Sequence, residues 1–83
     1  MAFVVTDLPE PYVPSGVEVL GREASVNGIV LVLDCPPGPE DETAQLATRA
    51  GYGLARFVSL AEATAFAVAR GRDGGDWPDG DGV

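Results

Sequence analysis

The sequence predicts a small two-layer α/β (α+β) sandwich with element order β-β-β-α-β-α, a mixed sheet and both helices packed on one sheet face. Three observations carry that expectation. Asn27-Gly28 stands between two apolar runs and is a strong hairpin signal. The unbroken run Ile29-Val30-Leu31-Val32-Leu33 reads as a central strand covered on both faces. Ser59-Leu60-Ala61-Glu62 has the spacing of a capping box ahead of an alanine-rich helix.

Ala2 to Thr6 is a short run rich in β-formers and predicts the first strand. Asp7 to Gly16 contains Pro9, Pro11 and Pro14 and reads as a stiff, extended connector with Tyr12 in its middle. Val17 to Val26 and Ile29 to Asp34 form the expected hairpin, joined by a type I′ turn at Asn27-Gly28. Val17 and Val19 have one parity, whereas Ala24 and Val26 have the other. One extra residue brings both pairs to the same face, which predicts a β-bulge at Gly21-Arg22.

Pro39 fits the first position of a helix, with Glu40, Asp41 and Glu42 at its positive end. Leu46, Ala47, Ala50 and Leu54 recur at helical spacing, and Gly51 or Gly53 ends the helix. Leu54 to Val58 predicts the fourth strand. In the last helix, Leu60 to Arg70, Ser59 caps the amide of Glu62, and Val58 and Ala63 have the positions of a hydrophobic staple. Residues 72–83 are mostly Gly and Asp around Trp77 and Pro78. They read as a disordered acidic tail behind a single domain spanning residues 1–71.

The last helix is apolar on nearly every side. At ~100° per residue, Phe66 and Val68 project about 160° apart. A helix that is apolar all round is normally buried all round, and a domain this short has a thin core. The expected consequence is a second subunit or a partner protein on the outer side. Phe66, Val68, Tyr12 and Trp77 are the candidate partner-binding residues.

Several function classes are disfavoured by composition. Thirteen acids stand against five arginines, for a net charge of −8. Nonspecific nucleic-acid binding needs clustered basic residues and is not expected. The chain has no histidine and no lysine. It therefore lacks the commonest general base and metal ligand, the partner of Cys-His and Ser-His nucleophiles, and the Schiff-base amine. The single Cys35 lies between Asp34 and Pro36 and reads as an inert residue at a strand end. No catalytic residue, cofactor or metal site is expected. Glu40, Asp41 and Glu42 read as a solvated first helical turn, and Asp79-Gly80-Asp81-Gly82 is only half of a calcium loop.

The segment from the apolar strand through Asp34-Cys35-Pro36-Pro37-Gly38 into a helix resembles the second nucleotide-site segment of the ParA/MinD family of partitioning ATPases. The resemblance implies a magnesium-positioning role for Asp34. The family also requires a glycine-rich loop with a lysine, and a chain without lysine cannot supply it. ATP binding is therefore not expected.

The absence of a long apolar stretch and of a basic leader predicts a cytoplasmic protein without a membrane span. The functional expectation is a non-enzymatic protein-interaction module. It would be an accessory or structural subunit of a larger assembly, with another protein or a second copy of itself as partner. The bias toward Ala, Gly, Val, Asp, Arg and Pro suits a GC-rich genome, and a phage-encoded subunit is one version. The alternative is an acidic inhibitor or nucleic-acid mimic that blocks a basic site on another protein.

Overall fold

The computed structural model describes residues 2–25 and 28–73. Its elements are β1 (Ala2–Thr6), a 3-10 turn (Glu10–Tyr12), β2 (Glu18–Ser25), β3 (Gly28–Cys35), α1 (Pro37–Ala50), β4 (Leu54–Phe57) and α2 (Leu60–Asp73). The order β-β-β-α-β-α and the small α+β class are as expected. The four strands form one sheet in the order β2-β3-β1-β4.

The sheet is antiparallel at every described ladder, where a mixed sheet was expected. The crossover from β3 through α1 to β4 does join two strands of the same direction. However, β1 lies between them and pairs antiparallel with both. Phe3 sits opposite Asp34 on one side and Phe57 on the other; Thr6 sits opposite Leu31 and Leu54. The first strand of the chain thus occupies the interior of the sheet.

Strand alternation divides the core in two. Val4, Leu31, Leu33, Cys35 and Leu54 share one side with Ala47 of α1. Val5, Val30 and Val32 share the other with Ala63 and Ala67 of α2. The helices therefore cover opposite faces, which corrects the expectation that both lie on one. The physical reason lies in β3. Four consecutive apolar residues, Val30 to Leu33, are at most 3% exposed. Leaving either face bare would forfeit about 1.5–3 kcal/mol per side chain. The chain covers both sides of its central strand by itself, so that strand requires no partner.

Local chemistry explains the element ends. The first helical bond of α1 runs from the Glu40 amide to the Pro36 carbonyl at 2.9 Å. The helix thus starts at Pro37, two residues earlier than expected. Pro37 and Pro39 both fall in the first turn, where missing amide protons cost nothing. Gly51 ends α1 in the left-handed region at φ 84, and its amide donates back to Thr48. The hairpin closes on Ser25 opposite Gly28, and Ile29 pairs with Ala24. Gly28 therefore belongs to β3, where the expected turn had placed it in the loop. The expected turn type lies outside the described residues. The bulge is present between Val19 and Gly21, one residue before its expected place, and it returns Ala24 to the face of Val19.

At the Ser59 cap only one half of the box forms. The Glu62 amide donates to Ser59 Oγ at 3.4 Å. The staple does not form either, because Val58 is 89% exposed while Ala63 faces the sheet. The connector after β1 is more structured than expected. Its 3-10 turn is tied to β2 by a two-pronged pair in which Arg22 Nε and Nη2 donate to Glu10 at 2.7 and 2.6 Å. Leu8, just before it, is buried.

A polar clamp joins β1 to the α1–β4 loop. The buried Thr6 hydroxyl donates to the Gly53 carbonyl at 2.6 Å and accepts the Leu8 amide at 3.1 Å. Asp7 Oδ1 accepts the Gly53 amide at 2.8 Å. Thr6→Val keeps the shape and removes the hydroxyl, so urea unfolding should show a loss of about 1–3 kcal/mol. Gly71 tests the fit of α2 on the sheet, since a Cβ there would stand 2.8 Å from the Ala24 carbonyl oxygen. In Gly71→Ala, overpacking of about 1–3 kcal/mol outweighs the roughly 1 kcal/mol that alanine contributes in a helix. The same measurement should show net destabilisation.

Candidate functional site

The outer side of α2 is the first candidate surface. Ala63, Ala67 and Gly71 recur every fourth residue, and the two alanines are fully buried against the sheet. Leu60, Thr64 and Val68 form a second stripe at the same spacing along one flank of the helix, about 60° round from the buried alanines, with the exposed Ala61 and Ala65 beyond it. Leu60 is 44% and Val68 37% exposed. Val58 projects from the turn just before the helix. Within residues 60–69 the only charged side chain is Glu62.

Phe66 is placed differently from Val68. Its ring is half-buried and packs against Phe57, with centroids 5.3 Å apart. The Arg70 guanidinium lies 4.8 Å from the same ring, within cation–π range. Phe66 thus joins the α2-side core on one flank of the helix, and Val68 on the other flank is the more exposed of the two. Tyr12 is 62% exposed on the 3-10 turn, remote in sequence from α2. Trp77 lies outside the described residues, as does the acidic segment around it.

A second feature was not foreseen. A groove of about 410 Å³ opens between the 3-10 turn and the hairpin end of β3. Leu8, Pro9, Pro11, Ile29, Leu31 and Tyr52 form its apolar lining, and Asp7 and Glu10 stand among them. Ile29 is more than half exposed there. The sequence signal was the proline connector, but its fold onto β3 depends on Arg22 pairing with Glu10 and on the burial of Leu8. Neither is visible as a pattern.

Among the described residues the carboxylates do not converge on a catalytic arrangement. Asp34, the residue implied by the partitioning-ATPase resemblance, stands opposite Glu18 and Phe3 in the sheet. Its Oδ1 is buried without a hydrogen-bond partner. Glu40 pairs with Arg56 of β4 at 3.3 Å. Among the described residues no three ligating side chains gather into a metal-binding group. The Arg22 hydrogen bonds hold the Glu10 carboxyl below its ordinary value, and Glu10 raises Arg22 in return. That pair is formed above the ordinary carboxylate range and is lost as pH falls and Glu10 takes up a proton.

Cys35 lies fully buried on the α1 side of the sheet. Burial pushes its thiol up, and the carboxylates of Glu40 and Asp34 add to the shift; hydrogen bonding to Thr43 and the charge of Arg56 oppose it. Such a thiol is a poor nucleophile at neutral pH.

No protein-family profile, curated protein or solved structure matches the chain significantly. No helix among the described residues is long and apolar enough to cross a membrane.

Cys35 gives a direct test of the local electrostatics. Iodoacetamide at pH 7.5 should label the native chain far more slowly than the urea-unfolded chain. Equal rates would contradict the burial. Because the folded thiol holds its proton more tightly than the unfolded one, stability should fall as pH rises above the ordinary thiol value. Cys35→Ala should flatten that part of the pH profile.

Proposed function

We propose that this chain is a non-enzymatic protein-interaction module, an accessory or structural subunit of a larger assembly. The observation that carries the reading is the exposed flank of α2, Leu60 and Val68, together with Val58. The fold covers both faces of its central strand segments, Val4, Val5 and Val30 to Leu33, internally, yet it leaves Leu60, Val68 and Val58 exposed beside small residues that allow close helix approach. Apolar side chains grouped on one helix face favour contact with another surface. The stripe carries almost no charge on a chain of net charge −8, so charge repulsion is weakest there. The shortage of catalytic side chains supports the same reading.

The partner surface then centres on Leu60, Val68 and Val58, with Tyr12 as a separate exposed aromatic. Tagged wild-type chain and Val68→Asp, expressed in the native host, should co-purify with different partners by mass spectrometry. The expected result is loss of the principal partner from Val68→Asp, with unchanged circular dichroism. An identical partner set would overturn the reading. So would a wild-type chain that runs as a monomer in light scattering and retains no partner.

A second reading, a contact with a basic site on another protein, is favoured by one observation. Arg22 and Arg56 are each engaged in an ion pair with a carboxylate, which leaves an excess of acidic groups on the surface. A partner held by that charge should dissociate steeply between about 50 and 500 mM salt, where screening shortens from more than 10 Å toward a few ångströms. Retention of the partner at the higher salt favours the apolar surface instead.

A further inference from the structure

We draw no further inference here: the strongest candidate, the apolar groove between the 3-10 turn and the hairpin end of β3, has nothing in the structure to show what occupies it.

Discussion

The position of β1 governs the rest of this fold. A strand placed between β3 and β4 must satisfy two ladders with its backbone and two cores with its side chains. Its five residues do both. Val4 enters the cluster under α1, and Val5 enters the cluster under α2. Because β1 runs antiparallel to both neighbours, α1 must carry the chain across it before β4 can pair. The clamp from Thr6 and Asp7 to Gly53 then fixes where that return begins. Buried hydrogen bonds of this kind add modestly to stability, but losing one partner leaves the other unsatisfied in a dry place.

The two helices meet the sheet in different ways. α1 arrives through prolines, contributes buried Thr43 and Ala47, and is tied to β4 by the Glu40–Arg56 pair. The Thr43 hydroxyl donates to the Pro39 carbonyl, so it needs no external partner. α2 approaches closely because its inward positions are Ala63, Ala67 and Gly71, and the larger Phe66 and Arg70 fill the flank beside Phe57. The alanine content that makes the helix look apolar all round is therefore partly a packing device. What remains outside is a broad face of mostly small residues in which Leu60 and Val68 are the large apolar side chains, and the interaction reading rests on their exposure.

The local elements were legible in the sequence where one residue type has one backbone consequence. The run from Ile29 to Leu33 announced a doubly covered strand; Val30 to Leu33 are buried from both sides, whereas Ile29 at the hairpin end is 54% exposed. The parity change between Val19 and Ala24 required an extra residue, and the bulge lies within one position of the expected place. Gly51 stops α1 because it adopts a positive φ that side chains resist. The candidate surface was less legible. The spacing of Phe66 and Val68 showed that they diverge, but not which of them turns inward. That choice follows from the aromatic Phe57 on β4, a residue that no local pattern links to α2. The groove at Ile29 was invisible for the same reason, since it is made where the connector folds onto a strand distant in sequence.

The sequence by itself determined the elements, their order, the need to bury β3 on both sides and the scarcity of catalytic side chains. These follow from side-chain periodicity, backbone preferences and composition, all of which act over a few residues. Only the tertiary structure decided that β1 sits between β3 and β4, that the helices take opposite faces, and that Val58, Leu60 and Val68 remain in water. Those outcomes depend on which long-range pairings let one short chain close both cores at once. That is a competition among whole arrangements, and no single segment contains it.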